Sequence, residues 1–308
     1  MLDLRRLEVF HAVATRRSFS AAALALSYTQ STVSEAVAAL ERELGVTLLD
    51  RTSRPVGITP AGEVVLAHAE TLLGHAGAIE DDLAALREGE AGRVRLSGFF
   101  TAWSTFLPEA IAAFSRERPR VALELGQADP PEAMRRLRSG DLDLAVTFRF
   151  EPGDPADDPG ERLVTTHLAH DPYSLAIPAR GALARKRDLA APDLADAKWC
   201  TAPLGTSFTD GVRRYCREHG GFEPDITYPT EDVAMAQPLV AAGLAVAFLP
   251  ALNLARPYPG VAVRALPDAP PGRDIWCLQP AARRLPAAQA MVAALATAAT
   301  AFFAGQTR

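Results

Sequence analysis

Cysteine is scarce in this sequence, and the spacing of the few cysteines excludes two kinds of site. The 308 residues contain three, at positions 200, 216 and 277, and no two form a CxxC pair. This pattern argues against a disulfide framework and against a zinc site, and it favours a reducing cytoplasm. The six histidines also lack metal-ligand spacing. We therefore expect a cytoplasmic protein with no metal and no cofactor.

Long apolar runs and enzyme signatures are missing as well. No apolar run reaches the ~18 residues that a membrane span needs. The N-terminal stretch MLDLRRLEVFHAV carries charges within its apolar pattern, unlike a signal peptide. The sequence contains no GxGxxG, P-loop, HExxH or GxSxG motif. We expect no membrane partner and no enzymatic activity.

Positive charge is not in excess, which limits where nucleic acid can bind. The formal net charge is −5. Residues 1–58 contain seven arginines and six acidic residues, a net of +1, so the remaining chain carries −6. Because nucleic-acid binding depends on positive charge near the phosphates, any such site must be local.

The first sixty residues show the pattern of a helix-turn-helix with a wing. Apolar residues at helical spacing predict a first helix over 4–16, and Ser20 is a plausible N-cap for a short helix over 21–26. Thr29 can cap a third helix over about 30–44, which Gly45 ends. A longer helix after a short turn is typical of the helix-turn-helix. Two short apolar runs around the turn TSRP then predict a small β-wing.

A long helix follows, with an apolar seam. Thr59 and Pro60 fit the N-cap and first position of this helix. Apolar residues step by four and three along it, the heptad pattern of a coiled coil. One interpretation is that the helix lies on its own domain. The interpretation we favour is a dimerisation helix whose seam includes Val65, Leu72, Ile79, Leu83 and Leu86.

The remaining chain alternates strands and helices. Strand-like runs at 93–98, 121–126 and 142–147 alternate with helical stretches at about 103–117 and 130–139. This β-α-β-α-β order predicts a parallel sheet covered by helices. Two further strands near 162–168 and 172–177 lead into a second α/β unit, and a final Ala-rich helix is expected over 286–303.

The chain resembles the LysR-type transcriptional regulators along almost its whole length. The specific stretches are LRRLEVFHAVATRRSFSAAALAL, TQSTVSEAVAALERELGVTLLDR and ITPAG, while SGDLDLAV and LVAAGLAVAFLP resemble phrases of the effector domain. The resemblance implies an all-α winged helix-turn-helix at 1–59, a linker helix at 60–90 and a two-lobed α/β effector domain, like a periplasmic binding protein, at 91–308. Lobe I would comprise about 91–168 and 268–308, and lobe II about 169–267. It also implies an operator-binding homodimer or homotetramer that responds to a small molecule.

The polar start of the third helix is the predicted DNA-reading element. The second helix of a helix-turn-helix enters the major groove with its N-terminal end, where glutamine can pair with adenine and hydroxyls can donate to bases or phosphate. Wing arginines suit phosphate or a narrow minor groove. The alternative is that these side chains only cap a helix or lie in solvent. The predicted DNA contacts are Gln30, Ser31, Thr32, Ser34, Arg51 and Arg54.

Several neighbouring positions stay open. Arg16 and Arg17 are weaker phosphate candidates. Glu35 stands where a basic or neutral polar residue is frequent among LysR-type regulators, and it either tunes specificity or faces solvent.

Two loops are predicted to form the effector site. Ligands of open α/β domains bind at the carboxyl ends of strands, and a helix start with hydroxyls favours anions, typically carboxylates. GFFTAWSTF and PLGTSF both have this layout, and Arg149 past the third strand is placed to pair with an acid. The alternative is that Thr101 and Ser207 are only N-caps, and Phe99, Phe100 and Trp103 either line a pocket or pack in the core. The candidate effector contacts are Thr101, Ser104, Thr105, Arg149, Thr206 and Ser207.

A solute-binding protein is the competing class, since residues 91–308 alone have that shape. The helix-turn-helix pattern and the lack of a signal peptide count against it.

Overall fold

A computed structural model describes residues 2–87, 92–150, 163–256, 258–267, 270, 272–281 and 285–306. The chain divides into two compact units. One comprises Met1–Arg95, Arg120–Glu124 and Met134–Asp143, and the other comprises Leu96–Pro119, Leu125–Ala133 and Leu144–Arg308.

The N-terminal segment is a winged helix-turn-helix, as predicted. Its elements are α1 (Leu4–Arg16), α2 (Phe19–Leu26), α3 (Gln30–Leu44), the antiparallel wing strands β1 (Leu49–Asp50) and β2 (Gly57–Ile58), and the long helix α4 (Pro60–Arg87). The prediction that Ser20 caps α2 is wrong. Ser18 has the extended backbone of an N-cap and accepts from the Ala21 amide at 3.2 Å, so α2 begins at Phe19, two residues before the predicted start.

The three short helices enclose one apolar core. The inner face of α3 contributes Val33, Val37 and Leu40, all fully buried. The Thr59 hydroxyl accepts from the Gly62 amide at 3.0 Å and so begins α4. A side chain at Gly62 would place its Cβ 2.1 Å from the Leu48 carbonyl oxygen, so the start of α4 can approach the wing only with glycine there.

One carboxylate joins α3 to the wing. Glu41 accepts from the buried amides of Leu48 and Leu49 at 2.9 and 3.3 Å, and from Arg51 Nη2 at 2.8 Å. Arg51 also lies 5.4 Å from the ring centre of Phe19. The wing therefore takes its position from a residue of α3.

The C-terminal part begins with β3 (Gly92–Gly98) and ends with the helix α12. In chain order its first elements are β3, α5 (Phe100–Trp103), α6 (Leu107–Glu117), β4 (Val121–Gln127), α7 (Pro130–Arg138), β5 (Leu144–Arg149) and β6 (Leu163–Asp171). The rest are β7 (Tyr173–Pro178), α8 (Ala182–Arg185), β8 (Lys198–Thr201), α9 (Ser207–Tyr215), β9 (Asp225–Pro229), α10 (Ala236–Ala241), β10 (Ala247–Pro250), α11 (Ala251–Leu254), β11 (Val261–Arg264), β12 (Arg273–Pro280) and α12 (Pro286–Gln306). A π-helical turn, Cys216–Gly220, extends α9.

Lobe I is built on a five-stranded sheet in the order β4-β3-β5-β12-β6. β3 and β5 are parallel, as predicted, but β12 is antiparallel to both of its neighbours, so the sheet is mixed. The helix predicted over 103–117 is two helices. Pro108 lies in the first turn of α6, where proline starts a helix readily, and Trp103 turns away to donate to the Gly126 carbonyl at 2.9 Å.

Lobe II contains a three-stranded antiparallel sheet, β10-β7-β11, and the parallel pair β8-β9. The sequence did not predict β11. The fully buried Trp199 packs with Phe248 and Tyr215 in the core on one side. Cys200, Val240 and Ala247 belong to a second cluster.

The chain crosses between the lobes at Asp171 and returns at Arg273. These residues pair across β6 and β12: Arg273 Nε donates to Asp171 Oδ2 at 3.0 Å, and Nη2 lies 2.9 Å from the same oxygen. The Leu252 amide donates to Asp171 Oδ1 at 3.0 Å. Burial raises the pKa of Asp171 above its usual value, although Arg273 opposes the shift. The adjacent Gly272 has no room for a Cβ, which would lie 2.5 Å from the Asp171 carbonyl oxygen.

The C-terminal helix α12 qualifies the expectation about apolar runs. By length and composition, Pro286–Gly305 is apolar enough to cross a bilayer, with a mean hydropathy of 1.6. Its polar residues are Gln289, Thr297 and Thr300. α12 packs against α6 and β6 and buries Met291 and Leu295, so it covers the lobe I sheet.

Replacing Glu41 with alanine should loosen the wing. Glu41→Ala leaves the buried amides of Leu48 and Leu49 without an acceptor, so we expect a loss of roughly 1–3 kcal/mol in unfolding free energy. Urea unfolding measures the loss, and amide hydrogen exchange at Leu48 and Leu49 locates it. Glu35→Ala is the matched control, because Glu35 is exposed on the same helix. Equal stability of the two variants would contradict the role assigned to Glu41.

Candidate nucleic-acid interface and ligand cleft

The first turn of α3 projects polar side chains into solvent. Thr29 caps the helix and accepts from the Thr32 amide at 3.2 Å. Gln30, Ser31 and Thr32 are exposed, whereas the opposite face of α3 is fully buried. The Ser31 and Thr32 hydroxyls both lie 2.8 Å from Thr29 Oγ1. This turn therefore presents a set of short hydrogen-bonding groups that no core residue covers.

Some of the predicted DNA contacts already bind other side chains of the protein, and others do not. Gln30 and Arg54 are exposed and make no side-chain hydrogen bond or ion pair within the described ranges. Arg51, by contrast, binds Glu41 and approaches Ser34 Oγ at 3.4 Å, so both residues already have structural partners. Their contact with DNA stays a prediction, as does that of the other four residues.

Sequence reasoning passed over one residue of this surface. Tyr28 is 47% exposed in the short turn between α2 and α3, next to the polar first turn. Its phenol is a donor that reaches phosphate oxygens in many complexes. A tyrosine in the turn directly before an N-cap was the available signal. Arg16 and Arg17 are also exposed, and the Arg17 carbonyl accepts from Val56 of the wing at 3.1 Å.

The residues of the seam predicted on α4 are partly buried at the start of the helix and exposed further along. Val65 is partly buried against the helix-turn-helix core, so the first turns lie on their own domain. Further along, Leu72, Ile79 and Leu83 are 46%, 62% and 50% exposed. Leu86 lies in α4, but its side chain falls outside the described part of the structure. The exposed leucines and isoleucine form an apolar stripe that fits a second helix.

A cleft between lobes I and II contains two cavities. The inner one, of about 150 Å³, is lined mainly by apolar and aromatic residues, including Phe148, Phe150, Tyr173 and Phe208. The outer one, of about 290 Å³, is lined by Phe99, Phe100, Thr101, Gln127, Asp129, Phe148, Glu231, Asp232, Val233 and Arg273. Arg273 and Glu231 line both.

Thr101 is the candidate effector residue that the structure places in the cleft. It is 2% exposed, and its hydroxyl accepts from Arg273 Nη2 at 2.7 Å. Thr101 lies inside α5, whose N-cap is Phe99, so the reading of Thr101 as an N-cap is wrong. Ser104 and Thr105 donate to the Thr101 carbonyl at 3.1 and 2.6 Å instead of lining a cavity.

In the second predicted loop, the Thr206 hydroxyl also bonds to nearby backbone groups. Thr206, not Ser207, caps α9, accepting from the Thr209 amide and donating to the Pro203 carbonyl at 2.8 Å. Neither Thr206 nor Ser207 lines the two cavities, although the neighbouring Phe208 does. Arg149 lies 5.3 Å over the Trp276 ring, and it too is absent from both linings.

The charged centre of the cleft was not predicted from the sequence. Arg273 is 6% exposed and lies 4.9 and 4.3 Å from the ring centres of Phe99 and Phe148. Its partner Asp171 is 102 residues away in the chain, and only the sheet brings them together. The one available indication was a charged residue at the end of β6 and another at the start of β12.

Comparison with known proteins adds to this geometry. A model of the bacterial regulatory helix-turn-helix protein, lysR family, matches residues 4–63, and the LysR substrate binding domain matches residues 87–300. The chain is 35% identical over 252 residues to the HTH-type transcriptional regulator ShiR of Corynebacterium glutamicum (strain R), covering 80% of this chain and 82% of that protein. It is 31% identical over 273 residues to a probable hydrogen peroxide-inducible genes activator of Mycobacterium avium, covering 87% and 85%.

Solved structures show the same organisation. CbnR, a LysR family transcriptional regulator, is 26% identical and superposes with a TM-score of 0.69, covering 97% of this chain and 99% of that one. Full-length CbnR complexed with its target DNA gives a TM-score of 0.68 at the same identity, covering 96% and 100%. Since the two family models together cover the polar α3 surface and both lobes of the cleft, the chain belongs to the LysR family of bacterial transcriptional regulators.

Proposed function

We propose that this regulator reads its operator through the first turn of α3 and responds to a small molecule bound in the cleft between lobes I and II. The observation that carries the first part is the exposed polar turn at Gln30–Thr32 on a helix whose other face is buried. CbnR, which has the same fold, has been solved in complex with its target DNA. We also place the chain in the cytoplasm and outside the enzymes, because its family regulates transcription.

The signal is proposed to be a bound ligand, not thiol oxidation. The Mycobacterium avium relative is named for hydrogen peroxide. Here all three cysteines are buried, and burial raises the pKa of Cys200 to about 11 and those of Cys216 and Cys277 to about 12. Since the thiolate is the form that reacts with peroxide, these residues lack the reactive form at neutral pH.

An exchange of Gln30 should affect one operator position. Gln30→Ala removes an amide that can pair with adenine, so we expect a loss of about 1–3 kcal/mol of discrimination at one base pair.

Arg54→Ala should instead weaken binding to all DNA. The slope of log K against log salt should become shallower by roughly one unit. Fluorescence anisotropy with a set of single-base operator variants measures both. An unchanged base preference in a well-folded Gln30→Ala chain would rule out the contact.

The apolar stripe of α4 is proposed to pair with a second copy. Leu72→Asp places a charge in that stripe, so we expect the oligomer to dissociate, or a tetramer to become a dimer. Operator affinity should fall strongly, because two half-sites need two linked helix-turn-helix domains. Light scattering measures the oligomer. Ala67→Asp is the control, because Ala67 is exposed on the same helix but outside the seam. The same mass for both variants and the parent chain would contradict the assignment.

Thr101 is proposed to hold Arg273 in place for the ligand. Thr101→Val keeps the side-chain shape but leaves the Nη2 donor of Arg273 short of an acceptor, so we expect a stability loss of roughly 1–3 kcal/mol and a weaker response to effector. Thermal unfolding and operator binding with effector measure these effects. Thr297→Val on the exposed side of α12 should stay within about 0.5 kcal/mol. Full stability and full response in Thr101→Val would exclude this role.

A further inference from the structure

The inner cavity of the cleft has the size and lining for one small ring. Its aromatic residues follow one another closely: ring centres are 5.2 Å apart for Phe148 and Phe150, 5.3 Å for Phe150 and Phe208, and 5.1 Å for Tyr173 and Phe208. A mainly apolar cavity of about 150 Å³ accommodates a molecule the size of benzene. The body of a ligand in this cavity is therefore small and apolar or aromatic.

The cation of the cleft is neutralised before any ligand arrives. Among the described residues that line the two cavities, Arg273 is the only one with a positive charge. It pairs with the fully buried Asp171, and its guanidinium covers the faces of Phe99 and Phe148. A ligand carboxylate would have to share this charge with Asp171, so the guanidinium attracts it less than an unpaired arginine would.

The other charges in the cleft are all negative. Glu231 lines both cavities, and Asp129 and Asp232 line the outer one. Asp232 accepts from the Ala234 amide, but the Glu231 side chain has no hydrogen bond or ion pair within the described ranges. An anion in the cleft meets uncompensated negative charge, whereas a cation is attracted.

One donor of Arg273 stays available to a ligand in the cleft. The Arg273 side chain is 7% exposed, and its hydrogen bonds within the described chain use Nε and Nη2, which leaves Nη1 without a partner. Because Asp171 already balances the charge, Nη1 suits a neutral oxygen such as a hydroxyl. The cleft thus offers an aromatic cavity, a donor for a neutral oxygen and a free carboxylate.

We propose that the cleft binds an organic ammonium ion with a small aromatic or apolar body. The body lies among Phe150, Tyr173 and Phe208, and the ammonium group lies toward Glu231, where aromatic faces add cation–π attraction. This inference rests on the proposed function, because it names the ligand class of that same cleft. It replaces the carboxylate that the helix-start loops suggested.

Three probes of one shape test the charge of the ligand. 2-Amino-1-phenylethanol, 1-phenyl-1,2-ethanediol and mandelate share a ring and a hydroxyl, and they end in an ammonium, a hydroxyl and a carboxylate. Calorimetry with the full-length chain at neutral pH should show the amine binding about tenfold or more tightly than mandelate, with the diol between them. Mandelate binding as tightly as the amine, or no binding of the amine, would overturn the proposal.

Glu231→Gln removes the charge and keeps the shape. We expect this variant to bind the amine about threefold to tenfold more weakly and the diol unchanged. Glu218→Gln is the matched control, because Glu218 is exposed in lobe II and lines neither cavity. An amine affinity that survives Glu231→Gln unaltered would contradict the role of this carboxylate.

Operator binding measured in parallel separates this inference from the proposed function. If the chain binds its operator but prefers mandelate, the proposed regulatory function stands and the proposal of a cationic ligand is wrong. If the chain instead binds the amine with the expected charge preference, but its operator affinity does not change with amine, the cation site stands. The proposal that ligand binding in the cleft regulates operator binding is then wrong.

Discussion

The buried pair of Asp171 and Arg273 is the constraint on which the two-lobed domain depends. Both passages of the chain between the lobes meet at this pair, since Asp171 ends β6 and Arg273 begins β12. The same carboxylate accepts from Leu252 at the start of α11, and the same guanidinium donates to Thr101 in α5. A buried pair contributes little net stability, but loss of one partner leaves an uncompensated charge that costs several kcal/mol. The position of each lobe at the cleft is therefore tied to one interaction.

In the helix-turn-helix, a single carboxylate likewise joins separate elements. Glu41 binds two backbone amides of the wing and also Arg51, so the helix proposed to read DNA also positions the wing. Arg51 in turn approaches Ser34. Residues that look like phosphate contacts in the sequence are thus part of the scaffold in the free chain. Gln30 and Arg54 make no side-chain hydrogen bond or ion pair with the described residues, so their substitution reports DNA contact more directly.

Hydroxyls at a helix start do not by themselves make an anion site. The hydroxyls of Ser104, Thr105 and Thr206 donate to nearby backbone carbonyls, because a serine or threonine in a turn finds acceptors within a few residues. The groups left to meet a ligand come from other parts of the chain. They are an aromatic cavity, a neutralised Arg273 and the carboxylate of Glu231, which has no partner among the described residues. This composition favours a cation over an acid.

The sequence by itself determined most of the local elements of the helix-turn-helix. The bounds of α1 and α3, the cap at Thr29 and the wing followed from periodicity and capping, because these depend on residues within one or two turns. The apolar stripe of α4 was readable for the same reason. Only the tertiary structure decided the antiparallel insertion of β12, the partner of Arg273 and the charges that line the cleft. Each of these joins residues far apart in the chain, and no local pattern specifies which distant charges a fold will bring together.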